Sequence, residues 1–173
     1  VISSGGTSSL GNKSGRDTSV EDGYGSVSYR GEENLWGNVW TWIDGANIKN
    51  NGIGSIYYTD HGYIDDTTRS PYMWIGTDIT FRSDGYISAI CYNQNCDFMF
   101  LPGEVKGDSI NPIGDYVNQQ FSKPYMTSAH VGGKCDDKLM AGLFNFGLST
   151  KPEASRWSIG SRLLCLPNNT EIY

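Results

Sequence analysis

From Phe144 to Ser149, apolar and small polar residues alternate: Phe144, Phe146 and Leu148 against Asn145, Gly147 and Ser149. Successive side chains on a strand leave to opposite faces, so this pattern predicts a strand with one buried and one solvent-facing side. Ile159, Leu163 and Leu164 predict a return arm, and the two arms together predict a final hairpin over 142–164. Between them lies STKPEASR, which has no period and no chemical theme. Upstream, SIYYT, MWIGTDITF, GYISAICY and DFMFLP are separated by Gly52, Gly54, Asp84-Gly85 and Pro102-Gly103, a spacing that predicts short antiparallel strands. VWTWI predicts another strand, closed by a turn at Asp44-Gly45. Ahead of it, Trp36, Trp40, Ile43 and Val39 suit one helical face, which predicts a short helix starting around Glu32 to Asn34, limited by Gly37.

Neither a βαβ alternation nor an internal repeat is present, and GEVKGDSINPIGDYVNQQF reads as a long irregular connection. Residues 1–24, rich in Ser, Gly and Thr, read as an extended arm or irregular loop. The remainder, 25–173, is then one α+β domain of short strands with one or two helices.

Composition narrows the function classes. The chain has 173 residues, enough for one domain, and its 11 tyrosines, 5 tryptophans and 22 glycines suit a loop-rich sheet protein with an aromatic core. Trp36, Trp40 and Trp42 read as core rather than as a cofactor box. A formal net charge of −6 without basic clusters argues against nucleic-acid binding by phosphate neutralisation. The absence of a long apolar run argues against direct membrane insertion, and the opening VISSGGTSSLG does not resemble a signal peptide.

Candidate chemistry is sparse. Cys91, Cys96, Cys135 and Cys165 lack zinc-site spacing, and two readings stay open: two disulfides in an oxidising compartment, or buried thiols. Asp60, Asp65 and Asp66 with His61 form a possible Ca²⁺ loop, but without EF-hand spacing a solvated acidic loop is the better reading. His61 and His130 fall in no hydrolase motif. No metal and no cofactor are expected.

Four stretches, YRGEENLWGNVWTWIDG, DGYISAICY, FMFLPGEVKGDSINPIGDY and AGLFNF followed by IGSRLL, occur in an order similar to the C-type-lectin-like fold. The branch in question is the one shared by formylglycine-generating-enzyme-like proteins and the variable proteins of diversity-generating retroelements. The second group, which includes phage receptor-binding and tail-tip proteins, is the closer likeness. It implies a C-type-lectin-like, non-enzymatic module that binds a protein or glycan receptor on a target cell, displayed on a virion tail tip or a cell surface. It also implies that STKPEASR is rewritten by adenine-directed copying. Asparagine AAY codons reach Gly147, Ser149, Thr150, Pro152, Ala154, Ser155, Arg156 and Ser158, but not Lys151, Glu153 or Trp157.

The candidate ligand-binding residues are accordingly Asn145, Gly147, Ser149, Thr150, Ala154, Ser155, Arg156, Trp157 and Ser158, on a shallow solvent-facing surface anchored by Arg156 and Trp157. Two alternatives accompany this reading: an adhesion domain of the same fold with a fixed ligand, and a catalytic relic of the formylglycine-generating fold. Against the relic, the chain has Gly132-Gly133-Lys134-Cys135 and an isolated Cys165 in LLCLP where those enzymes carry a reactive cysteine pair.

Overall fold

The computed structural model describes residues 2, 4–21, 24–60, 67–94, 101–108, 110 and 115–161. In chain order the strands are β1 (Gly15–Arg16), β2 (Val27–Tyr29), β3 (Glu32–Glu33), β4 (Trp40–Asn50), β5 (Gly54–Tyr58), β6 (Met73–Ile79) and β7 (Gly85–Tyr86). They continue with β8 (Ala89–Cys91), β9 (Leu101–Glu104), β10 (Tyr116–Gln119), β11 (Thr127–Val131), β12 (Phe146–Thr150) and β13 (Ile159–Gly160). Helix among the described residues is confined to two 3-10 turns, Ser8–Leu10 and Lys138–Met140. The fold is therefore mostly β, and the helical part of the α+β expectation is corrected. The stretch expected to start a helix is strand β3, whose Glu32 and Glu33 pair with Tyr29 and Ser28. Asn34 there adopts a left-handed φ of 51°, and Gly37 one of 77°, either of which interrupts a helix.

The main sheet runs β6-β5-β4-β11-β12-β10-β7, with β13 added to β4. Its central strand β4 does not end at Asp44-Gly45 as expected. It passes through that dipeptide as a bulge with Gly45 at φ 87°, and continues to Asn50. Against β11, Ser128 faces Asn47 while His130 faces Trp42, so five positions of β4 span two of its neighbour. The bulge turns β4 over. Ala46 and Ile48 point into the core with Ile56, Ile75, Ile79, Val117, Ala129 and Leu148, whereas Trp40 and Trp42 lie on the opposite face with His130. Burying those side chains, each isoleucine, valine or leucine favoured by about 1.5–3 kcal/mol, holds the sheet against Phe121, Ile87 and Leu101.

Of the two readings of the N-terminal segment, the irregular loop fits: its described residues are mostly turns and bends and include one short strand. β1 pairs with β2 across the expected boundary at Tyr24. The Glu33 carboxylate accepts hydrogen bonds from the Gly5 N–H at 2.7 Å, the Thr7 N–H at 2.8 Å and the Thr7 hydroxyl at 2.5 Å. Asn38 exchanges two hydrogen bonds with the Ile2 main chain, at 2.7 and 2.9 Å.

Among the described residues the expected final hairpin does not form. β12 lies between β11 and β10 and never meets β13, which pairs in parallel with β4 on the far side of β11. Residues 151–158 are thus a crossover between two separated places in one sheet. Leu163 and Leu164 lie outside the described residues.

Candidate functional site

The face of the sheet turned away from the aliphatic core is built around one cross-strand row. Trp42 of β4 is register partner to His130 of β11, His130 to Gly147 of β12, and Gly147 to Asn118 of β10. Side chains directly opposite on neighbouring strands are close enough to touch, and here they fill the face with rings. His130 stands edge-on to Trp40 at 4.5 Å and to Trp42 at 5.3 Å between ring centroids. Gly147 completes the seat: a Cβ there would lie 2.1 Å from His130 Nε2. The imidazole occupies the place of a Gly147 side chain.

Above this row lies a cleft of about 340 Å³ bounded by Trp40, Tyr116, His130, Asn145, Ser149 and Arg156. Asn118, Lys134, Asp137, Met140, Thr150, Ser158 and Ile159 complete its lining. Two loops shape it. The first, between β11 and β12, turns through Gly132 and Gly133, and the Lys134 N–H donates to the Asp137 carboxylate at 2.9 Å. Lys134 Nζ reaches Asp137 at 3.1 Å and also contacts Asp136. Hydrogen bonding to Asp136, then to Asp137, raises the Lys134 pKa despite desolvation. In the same loop the Asn145 side-chain amide donates to the Met140 carbonyl, while its Oδ1 is buried with no partner among the described residues.

The second loop is the crossover. Its main chain makes two turns of its own, the Ala154 N–H donating to the Lys151 carbonyl and the Ile159 N–H to the Arg156 carbonyl, and is tied to β4 at its C-terminal end, where the Trp40 N–H donates to the Ser158 carbonyl at 2.8 Å. Lys151 also sits over the Tyr125 ring, 4.9 Å from its centroid. None of the three main-chain bonds depends on a crossover side chain.

Burial pushes the His130 imidazole down to about 4, with the Arg156 charge acting in the same direction and the Ser128 main chain and Asp137 opposing it. It is a neutral ring at physiological pH, and its Nδ1 makes no standard hydrogen bond. The cleft therefore offers neutral donors and acceptors, aromatic walls, a Lys134–Asp137 pair and the Arg156 guanidinium. Among the described residues no nucleophilic side chain is hydrogen-bonded to the imidazole Nδ1.

The predicted site residues fall into two groups. Asn145, Ser149, Thr150, Arg156 and Ser158 come together on the cleft. Ser155 and Trp157 are exposed, Trp157 at 69%, and Ala154 is half-buried on the crossover. The strand parity holds for Phe146 and Leu148, which face the core, but Phe144 precedes the strand and is 45% exposed. The polar face is not the open surface expected: Asn145, Gly147, Thr150 and Ser158 are buried. The physical reason is that neighbours fill the face: the His130 imidazole covers Gly147, and Asn145 is folded into the loop at Met140.

Sequence reasoning missed Trp40, Tyr116, Asn118, His130, Lys134, Asp137 and Met140 as site residues. The available signal was Gly147, a glycine in a patterned strand, which marks a close approach from a neighbouring side chain. Trp36, expected in the core, is 48% exposed, whereas Trp40 is buried. It borders a second concavity of about 320 Å³ beside the β1-β2-β3 sheet, also lined by Val27, Tyr29 and Leu35.

Cys91 is half-buried and Cys135 exposed, while Cys96 and Cys165 lie outside the described residues, as do His61, Asp65 and Asp66 of the expected acidic loop. Among the described residues no three His, Cys, Asp or Glu side chains group as metal ligands, and no helix is long and apolar enough to cross a membrane. The chain matches no protein-family model, no curated protein and no solved structure.

Proposed function

We propose that the chain is a non-catalytic receptor-binding module of C-type-lectin-like type, in which the crossover 151–158 and the end of β12 carry the recognition surface. One observation carries this reading. Ser149, Thr150, Arg156 and Ser158 border a concave site, while the segment that bears the last two is held by main-chain hydrogen bonds. A loop seated through its backbone changes its side chains without changing its path, which is the physical requirement for a surface whose specificity varies on a constant scaffold. The absence of theme in STKPEASR is then the result of selection for binding.

Within this proposal Ser149, Ala154, Ser155 and Arg156 are the adaptable positions, and Trp157, which AAY codons do not reach, is a constant one. Gly147 and Asn145 serve the scaffold, one by making room for His130 and the other by tying the loop at Met140. Trp157 contributes exposed aromatic area and Arg156 a planar donor fork, the residue types that dominate binding hot spots. Display on a virion tail tip or cell surface, a protein or glycan receptor as partner, and diversification by a retroelement belong to the same proposal.

The test is a binding screen against host-surface proteins and glycans, repeated with Arg156→Ala, Trp157→Ala and excess EDTA. Truncating a hot spot costs about 2 kcal/mol or more, roughly thirtyfold in affinity. Binding that is lost with EDTA and unchanged by both substitutions would place recognition elsewhere. For diversification, the flanking DNA is expected to hold a reverse-transcriptase gene and a near-copy of the segment coding for 142–164. A genomic locus without either leaves a fixed-ligand adhesion module.

A further inference from the structure

Three charged residues line the cleft, and two of them are spent on each other: Lys134 and Asp137 lie 3.1 Å apart. The third, Arg156, makes no ion pair among the described residues. In a chain of formal net charge −6, a concave site thus carries an unmatched positive charge. A guanidinium presents a planar fork of donors whose geometry fits a carboxylate.

A second observation is independent of charge. Asn145 is 1% exposed, its amide nitrogen is committed to the Met140 carbonyl, and its Oδ1 accepts no hydrogen bond among the described residues. A buried acceptor left without a donor is costly, so it marks a place where a ligand hydroxyl or N–H has something to gain. Ser149, Thr150 and Ser158 bring hydroxyls to the same cleft, able to donate and accept, and Trp40 and Tyr116 bring aromatic walls. The volume of about 340 Å³ is near the small end of ligand pockets, which span about 300–1,000 Å³.

We infer that the cleft takes a sugar acid, a single ring whose carboxylate pairs with Arg156 and whose hydroxyls supply the donor for Asn145 Oδ1 and bond to the serine and threonine hydroxyls. This rests on the proposed binding function and deepens it by naming the ligand class. A neutral sugar leaves the guanidinium unmatched. An acidic peptide side chain supplies the carboxylate but not a ring of hydroxyls, and an extended backbone exceeds the cleft.

The experiment is isothermal titration of the full chain with N-acetylneuraminic acid and with glucuronic acid, beside glucose and a glutamate-containing tripeptide. Arg156→Gln and Arg156→Lys are titrated in parallel; both alter an exposed side chain, so folding is retained. One of the two acids is expected to bind with a Kd of about 1 mM or tighter, at least about tenfold better than glucose. Arg156→Gln is expected to lose about tenfold or more, with Arg156→Lys between the two, because lysine keeps the charge and loses the fork.

Equal binding of glucose, stronger binding of the tripeptide, an unchanged Arg156→Gln, or no binding of either acid at about 10 mM overturns the inference. A receptor found in the cell-surface screen, lost with Arg156→Ala and not competed by sugar acids, sinks the sugar-acid assignment and leaves the binding function standing. A chain whose receptor binding ignores the crossover removes both.

Discussion

Gly147→Ala adds one methyl group and separates the two roles available to that position. On a covered face the methyl is expensive: its carbon would lie 2.1 Å from His130 Nε2, 2.3 Å from Cε1 and 2.6 Å from Cδ2. Contacts below 3 Å require something to move. The ring is 4% exposed and boxed by Trp40 and Trp42, and the residue opposite Gly147 on its other side is Asn118. Overpacking of this kind costs about 1–3 kcal/mol, and because the obstacle is a fixed ring the upper end applies, about 3 kcal/mol. Against it stands the gain of replacing glycine by alanine in a strand, well under about 1 kcal/mol, so the clash wins. For a domain of this size each kcal/mol lowers Tm by about 2–4 °C, which predicts a fall of about 6–12 °C.

Urea denaturation of the parent, Gly147→Ala, His130→Ala and the double variant forms a cycle that isolates the contact. With the imidazole gone, the added methyl is expected to cost less than about 1 kcal/mol, giving a coupling of about 2 kcal/mol. A Gly147→Ala variant within about 0.5 kcal/mol of the parent would refute the packing argument and return Gly147 to the adaptable positions.

Further outcomes follow from the same geometry. Leu148→Ala removes a side chain that is 2% exposed in the aliphatic core and is expected to cost about 2–5 kcal/mol in chemical denaturation. By contrast, the joint replacement of Ala154, Ser155, Arg156 and Trp157 by other polar residues is expected to leave Tm within about 4 °C of the parent; unfolding of that variant would show that the crossover is held by its side chains. For His130 the sign runs toward acid instability. Its folded pKa of about 4 lies below the unfolded value of about 6.5, so the unfolded chain takes up the proton first. This contribution is complete above pH 6.5 and is lost as the pH falls toward 4, by at most about 3 kcal/mol. A His130→Gln variant should therefore show a shallower loss of stability between pH 7 and pH 4 than the parent. Glu33→Ala unties Gly5 and Thr7, and trypsin is expected to cleave after Lys13 or Arg16 several-fold faster, with the rest of the sheet intact.

Local alternation proved legible wherever one face of a strand is apolar and nothing unusual covers the other. SIYYT, MWIGTDITF and GYISAICY contain β5 to β8, and the inward parity of Phe146 and Leu148 follows directly from spacing. What stayed hidden depends on distant partners. The helical face assigned to Trp36, Trp40 and Ile43 dissolves because Trp40 belongs to a strand that β11 and β13 pair on either side. Asp44-Gly45 has the chemistry of a turn, and a bulge uses the same positive φ; whether the chain reverses or continues is decided by the strand beside it. Likewise Tyr116 to Gln119 sits in a stretch that reads as irregular, yet it forms β10 because β12 and β7 offer it edges. At the site, Ser149, Thr150, Arg156 and Ser158 were visible as candidates. The concavity was not, because it exists only once the crossover passes over β11.

The seating of β13 also bears on the order in which the chain assembles. Ile159 on Trp40 and Gly160 on Thr41 join positions more than a hundred residues apart, whereas β4, β5 and β6 pair with near neighbours in sequence. Contacts that close so long a loop are expected to form after the local ones, although the closure cost rises only slowly with length. On that order residues 151–158 settle onto a sheet that already exists, and their side chains are expected to have φ-values near zero. Changes there are then expected to alter how fast the native state comes apart more than how fast it forms, which a pair of chevron plots checks. A segment that folds last is one whose sequence can be replaced without the ribosome's product losing its way to the native state.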